Sequence, residues 1–228
     1  MLSAIILAAG KGIRLNASVP KPLVKIGKSP AIVYSLNSLN KHPDIDEIIV
    51  VLSLANQGKV IKAIKSCSFK KIKGFVLGGR RRQDSVLNGL KAVNQKSNWV
   101  LIHDSARPFI DRESITKVIL AAKKSGAAIL AVRPKATIKF SQRGNIVSET
   151  LNRDKLWEVQ TPQVFKKDFL LEAYRKYAKV NFTDDASLVE KSGKKVRIVK
   201  GNYENIKITT AEDLLVASLI VGRKFHAI

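Results

Sequence analysis

Four largely apolar runs, Ser3–Ala8, Glu47–Leu52, Trp99–His103 and Ala127–Val132, recur along the chain with amphipathic, capped segments between them. Runs lacking a polar residue at every second position suit strands buried on both faces, which in turn require crossover helices on both sides of a parallel sheet. This alternation predicts an α/β domain, Rossmann-like and doubly wound, with a mostly parallel sheet.

The intervening segments have readable ends. Ser29-Pro30 offers an N-cap and a proline at the first helical position ahead of Ile32, Leu36 and Leu39, and His42-Pro43 stops that helix. Asp111 is placed to cap a helix with an apolar face of Ile115, Val118, Ile119 and Ala122, closed by Gly126. Thr210-Ala211-Glu212-Asp213 reads as a capping box opening the last helix, with Leu214, Leu215 and Ala217–Leu219 turned inward. One stretch, about 134–156, breaks the rhythm. Thr137–Phe140 and Ile146–Thr150 flank a turn carrying Gly144, which predicts a β-hairpin. An isolated hairpin is marginal in water, so this one is expected to project as an arm and pack on a second copy of the chain. No internal repeat or linker divides the sequence, and a single domain over 1–228 that includes the arm is expected.

Composition narrows the setting. One cysteine, Cys67, excludes an intramolecular disulfide framework and a multi-cysteine zinc site. Met1–Ala9 is too short for a secretory leader and no apolar run approaches a membrane span, so a cytoplasmic protein without a membrane partner is expected. Lys plus Arg number 41 against 18 acids, a balance that attracts polyanions. The cations are spread over the chain, as in Lys70-Lys71, Lys123-Lys124 and Lys194-Lys195, with few aromatics among them. That pattern fits a solvated surface and a phosphate-rich small substrate, with no specific nucleic acid; a basic nucleic-acid-binding module without turnover is the reading from another class.

The segment after the first strand carries the chemistry. Ala8-Ala9-Gly10-Lys11-Gly12-Ile13-Arg14 follows it directly, and Pro20-Lys21-Pro22 closes the loop. Small residues let backbone approach a ligand, and glycines free N–H groups to face phosphate oxygens at the carboxyl end of a strand. Lys11, Arg14 and Lys21 add three cations there. The loop lacks the spacing and hydroxyl of a G-x-x-x-x-G-K-[ST] motif, and Leu15 stands where a dinucleotide fingerprint needs its third glycine.

The order and spacing of further motifs are similar to one family. Gly78-Gly79-x-x-Arg82-x-Asp84-Ser85, His103-Asp104-x-Ala106-Arg107-Pro108 and Thr137-Ile138-Lys139 are followed by Gln160-Thr161-Pro162-Gln163, Thr183-Asp184-Asp185-Ala186-Ser187 and Asn205-Ile206-Lys207. With the first loop these resemble the 2-C-methyl-D-erythritol 4-phosphate cytidylyltransferases of the non-mevalonate isoprenoid pathway, over essentially the whole chain. The ribitol 5-phosphate cytidylyltransferases share the first loop, the Asp-x-x-Arg-Pro element and Gln-Thr-Pro-Gln, and form the alternative within enzymes. The resemblance implies attack by a phosphate monoester on the α-phosphorus of CTP with pyrophosphate leaving, chemistry that rests on positioning and charge stabilisation.

The resemblance also assigns roles. Arg14, Lys21 and Lys207 would be the catalytic cations. Ala8, Ala9, Gly10, Gly12, Gly79, Arg82 and Ser85 would hold the nucleotide. Arg107, Thr137, Arg153 and Thr183 would bind the polyol phosphate, with Thr137 and Arg153 arriving from the arm of a partner subunit in a homodimer. Asp104, at a strand end beside the phosphates, would hold Mg2+, a cation that takes few carboxylates together with phosphate oxygens and water. Ala136 stands where the family usually has Asp, Ser105 where it has Ala, and Pro22 where it commonly has Gln.

Overall fold

A computed structural model describes residues 1–10 and 19–225. The strands are β1 (Leu2–Ala8), β2 (Lys25–Ile26), β3 (Ser29–Pro30), β4 (Glu47–Leu52), β5 (Ile72–Leu77), β6 (Trp99–Asp104), β7 (Ala127–Val132), β8 (Ile138–Phe140), β9 (Glu149–Leu151), β10 (Glu158–Lys166) and β11 (Arg197–Lys200). The helices are α1 (Ala31–Lys41), α2 (Gln57–Lys65), α3 (Arg82–Ala92), α4 (Arg112–Ser125), α5 (Lys167–Tyr177), α6 (Asp185–Lys191) and α7 (Ala211–Phe225).

Seven strands form the main sheet in the order β11-β7-β10-β6-β1-β4-β5, and β10 alone runs antiparallel to its neighbours. The continuous apolar runs are explained by two cores. On β1, Ala4 and Ile6 pack with α1, α2 and α4 on one face, while Ile5 packs with α3 and α5 on the other. After β1 the chain adds β4 and β5 on one side and β6 on the other. The strand order therefore reverses beside β1, the position at which open α/β sheets bind ligands.

Several local expectations hold. Asp111 accepts a hydrogen bond from Ser114 N at 2.7 Å, and Gly126 closes α4 in the left-handed region at φ 85°. At α7, Thr210 Oγ1 accepts from Asp213 N at 3.3 Å while Asp213 Oδ2 accepts from Thr210 N at 3.0 Å, a reciprocal capping box. The hairpin forms in register Ile138↔Leu151, Lys139↔Thr150 and Phe140↔Glu149.

Three expectations need correction. Ser29 does not cap α1, because Ser29 and Pro30 pair with Lys25–Ile26 in a small two-stranded sheet and the helix starts one residue later. The second hairpin strand is Glu149–Leu151, displaced toward the C-terminus, because the turn takes up residues to Ser148. On α7, Leu215 and Leu219 are 69% and 75% exposed. The helix covers only a satellite core of Val24, Ile26, Phe109 and Ile208, so a narrow stripe of Leu214, Ala217, Ile220 and Val221 suffices to face it.

Candidate active site

Parallel pairing of β1 with β4 and β6, and of β4 with β5, brings the carboxyl ends of four strands to one edge of the sheet. A cavity of about 310 Å³ opens there. Ala8, Ala9 and Gly10 run along it from the end of β1, and Lys21 and Pro22 close one side. The β5–α3 turn contributes Gly79, Arg80 and Arg81, and the first turn of α3 contributes Arg82 and Ser85. Gly78 lets these two walls meet: a Cβ there would sit 2.5 Å from the Ala9 Cβ and 2.8 Å from Ser85 Oγ. Ser85 Oγ accepts from Gly79 N at 3.1 Å and donates to Arg81 O at 3.2 Å, which leaves its second lone pair for a ligand donor.

A second cavity of about 280 Å³ adjoins the first and shares Arg82, Asp104 and Lys207 with it. Arg107, Thr161, Gln163, Thr183 and Asp184 belong to the second cavity alone. The shared wall is a charge cluster. Lys207 Nζ donates to Asp104 Oδ2 at 2.6 Å; Arg82 donates to Asp104 Oδ1 at 3.5 Å and, through its other terminal nitrogen, to Asp185 Oδ2 at 2.6 Å. Burial alone would raise the Asp104 carboxyl, but Arg82 and Lys207 outweigh it and hold the group well below the usual carboxylate range. Arg82 is likewise subject to burial, and Asp185 and Asp104 together raise it above an ordinary guanidinium. Asp104 and Arg82 are therefore both ionised at neutral pH.

His103 rivets this wall to β10. Thr161 Oγ1 accepts from Asp104 N at 3.1 Å and stands 3.1 Å from His103 Nδ1, while His103 Nε2 lies 3.0 Å from Arg107 O. The threonine hydroxyl hydrogen is then directed at Nδ1, which fixes the proton of the neutral ring on Nε2 and lets it donate to the Arg107 carbonyl. Burial pushes this imidazole down to about 4. Thr161 can turn this way because the β10–β7 register shifts between Val159 and Gln163, around Pro162, which has no N–H to place in a ladder. Arg107 donates to Asn205 O at 2.7 Å and Val159 O at 3.2 Å, so its guanidinium ties together the floor of the second cavity.

Of the residues singled out in the sequence, Ala8, Ala9, Gly10, Lys21, Gly79, Arg82, Ser85, Asp104 and Lys207 line the first cavity. Arg107 and Thr183 line the second. Thr137 and Arg153 line neither; both are exposed on the arm and its base, where Arg153 donates to Lys135 O at 2.7 Å. Gly12 and Arg14, with Lys11, lie outside the described residues. Arg80 and Arg81 in the first cavity, and Gln163 and Asp184 in the second, carried no assigned role in the sequence. The Gln-Thr-Pro-Gln and Thr-Asp-Asp motifs held the signal for the latter pair, which meet through Gln163 Nε2 and Asp184 Oδ2 at 2.7 Å.

Among the described residues no three His, Cys, Asp or Glu side chains gather to hold a metal ion. A divalent cation at this edge would rest on Asp104 and on oxygens supplied by a ligand. That donor set suits magnesium, and Asp104 Oδ1, with its long contact to Arg82, is the freer oxygen.

Residues 2–223 match the family model described as IspD: 2-C-methyl-D-erythritol 4-phosphate cytidylyltransferase. A Clostridium tetani protein named 2-C-methyl-D-erythritol 4-phosphate cytidylyltransferase is 46% identical over 225 residues, covering 98% of this chain and 91% of its own length. One of the same name from Alkaliphilus oremlandii is 44% identical, covering 96% of this chain and 94% of its own. The crystal structure of the 4-diphosphocytidyl-2C-methyl-D-erythritol synthase of Anaerococcus prevotii superposes with a TM-score of 0.86 at 35% identity, covering 97% of this chain and 96% of that one.

Proposed function

The chain belongs to the 2-C-methyl-D-erythritol 4-phosphate cytidylyltransferase family, and on that premise we propose that it joins CTP to 2-C-methyl-D-erythritol 4-phosphate, forming 4-diphosphocytidyl-2-C-methyl-D-erythritol and pyrophosphate in isoprenoid precursor biosynthesis. The observation that carries this reading is the pair of cavities meeting at one wall of Arg82, Asp104 and Lys207. Two anionic substrates that must react with each other need adjoining sites and a cationic seam between them.

CTP takes the first cavity. Its cytosine lies against Gly79 and Ser85, whose remaining lone pair accepts from the exocyclic amino group; uracil offers an acceptor at that place and is disfavoured. The backbone of Ala8, Ala9 and Gly10 follows the nucleotide, and the family resemblance assigns Gly12 the same role. Arg14 and Lys21 bind the triphosphate and stabilise the charge that builds on the departing pyrophosphate. The polyol phosphate takes the second cavity, with Arg107 and Thr183 beside it. Its phosphate oxygen attacks the α-phosphorus in line, and the bond from that phosphorus to the bridging oxygen of the leaving pyrophosphate breaks. Lys207, at the seam, neutralises the incoming and transferred phosphates. Mg2+ held by Asp104 and phosphate oxygens would supply charge neutralisation and orientation of the triphosphate.

Thr137 and Arg153 act in a second subunit. The arm leaves Phe140, Ile146 and Val147 exposed, apolar surface that a homodimer would cover. A cytoplasmic location and one domain over 1–228 complete the reading; no described helix is long and apolar enough to cross a membrane.

The test is pyrophosphate release with Mg2+ and methylerythritol phosphate for each NTP in turn, with ribitol 5-phosphate as a parallel acceptor. Turnover confined to CTP and methylerythritol phosphate is expected. Turnover only with ribitol phosphate, or none with either acceptor, would overturn the assignment.

A further inference from the structure

The segment that carries Thr183 into the second cavity is poorly held by its own packing. Between α5, which ends at Tyr177, and α6, which starts at Asp185, residues 178–181 and Thr183 are exposed. Phe182 alone among them packs on the core, edge-on to Tyr177 with ring centroids 6.3 Å apart. Such a loop is expected to sample several backbone positions unless something outside it fixes them.

That something is the first turn of α3. The Gln83 side chain is buried, and its amide meets the loop backbone from both ends. Nε2 donates to Val180 O at 2.9 Å and to Ala178 O at 3.4 Å, and Oε1 accepts from Phe182 N at 3.2 Å. Arg81, two residues earlier at the N-cap of α3, adds contacts from Nη1 to Asn181 Oδ1 at 3.1 Å and from Nη2 to Ala178 O at 3.0 Å. Arg81 is itself braced by Asp84, within the turn that also presents Gly79 and Ser85 to the first cavity.

We propose that Gln83 is a positioning residue for the acceptor: it fixes residues 178–182, and through them Thr183, at the wall of the second cavity, while its helix frames the first. The inference rests on the reading that the second cavity takes the polyol phosphate. Gln83 touches neither cavity, so its effect passes through the loop backbone. A rigid loop presents Thr183 without an ordering cost at binding, and misplacement of a binding group by about 1 Å can cost up to ~10²-fold. The amide is needed in full. Glutamate retains the acceptor for Phe182 N but sets a carboxylate against two carbonyl oxygens, so the apparently close substitution is a damaging one.

The experiment is steady-state kinetics with each substrate varied in turn, on wild type, Gln83→Ala and Gln83→Glu. The expected result is a KM for methylerythritol phosphate raised about tenfold in Gln83→Ala and at least as far in Gln83→Glu, with the KM for CTP held within about twofold. Equal rises in both KM values, or an unshifted acceptor KM, would overturn the positioning role. Asn181→Ala, on the exposed side of the same clamp, guards against misfolding: it is expected to raise the acceptor KM about two- to threefold, and no rise would count against the proposal even if the Gln83 variants fail to fold. A wild-type enzyme that turns over normally while its variants are unshifted sinks only this inference. A wild type without acceptor turnover sinks the reading beneath it and the inference with it.

Discussion

The two cavities share a wall but are assembled in different ways. Apart from the shared wall, most of the first is made from two short stretches of chain, the loop leaving β1 and the turn from β5 into α3. Most of its lining is thus set by local conformation: a glycine where two walls touch, a serine one turn into a helix, small residues after a strand. The second draws Arg107, Thr161, Gln163 and Thr183 from the end of β6, the irregular part of β10 and the loop before α6. These come together only because β10 inserts between β6 and β7 and because hydrogen bonds from His103, Gln83 and Gln163 tie the parts to one another. A site written in local sequence should fail residue by residue, whereas a site assembled by tertiary contacts should also fail through residues that touch no ligand.

The widest effect is expected at the shared wall. Lys207→Ala should lower kcat by ~10²–10³ and weaken both substrates, since its ammonium faces both cavities. A defect confined to one substrate would mean that the wall belongs to a single cavity. Far-UV circular dichroism should remain unchanged, because Arg82 still faces Asp104.

The rivet between the cavities should be visible as pH-dependent stability. His103 accepts a proton near 6.5 when unfolded and near 4 when folded. Its contribution is therefore complete above about 6.5 and is lost as the pH falls toward 4, where the unfolded chain binds the proton first. The full difference corresponds to about 3 kcal/mol. Urea midpoints of the nucleotide-free, metal-free protein should drop between pH 7 and 4.5, and His103→Gln should flatten that portion of the profile. An unchanged slope in the variant would remove His103 from the explanation.

The proposed role of the arm would extend the comparison to a second subunit. Arg153→Ala should reduce turnover at limiting acceptor by about tenfold or more, with CTP binding preserved. If the arm serves the partner's site, mixing Arg153→Ala with Lys207→Ala should restore activity to about one quarter of wild type, because half the dimers are mixed and each carries one intact site. Strictly additive residual activities would place Arg153 in its own subunit's site or outside any site.

The smallest effect is the most local. Ser85→Ala should raise the KM for CTP about five- to tenfold and narrow the preference for CTP over UTP, leaving the acceptor KM in place. A matching change in the acceptor KM would show that the two cavities are less separable than their construction implies.

What could be read from the sequence follows the same division. The strands β1, β4, β6 and β7 were legible because burial on both faces leaves an unbroken apolar run, and Asp104 was legible as a carboxylate at the end of one of them. The caps of α4 and α7 were legible because each is a side chain bonding within three residues of itself. The antiparallel insertion of β10 was not. Pro162 interrupts its alternation, and nothing within Glu158–Lys166 records which strands will flank it. The exposure of Leu215 and Leu219 on α7 is not legible, because a run of apolar residues does not say how wide a core awaits the helix. The clamp formed by Gln83 was invisible for a plainer reason: its partners are backbone groups about 95 to 99 positions away.

The most direct test of two cavities joined at one seam is a crystal structure of the protein with CTP and Mg2+. The expected density places cytosine against Gly79 and Ser85 and the α-phosphate at Lys207 and Asp104, with the cavity of Arg107 and Thr183 still open for the acceptor. Nucleotide lying in that second cavity, or an α-phosphate away from the Asp104–Lys207 pair, would contradict it.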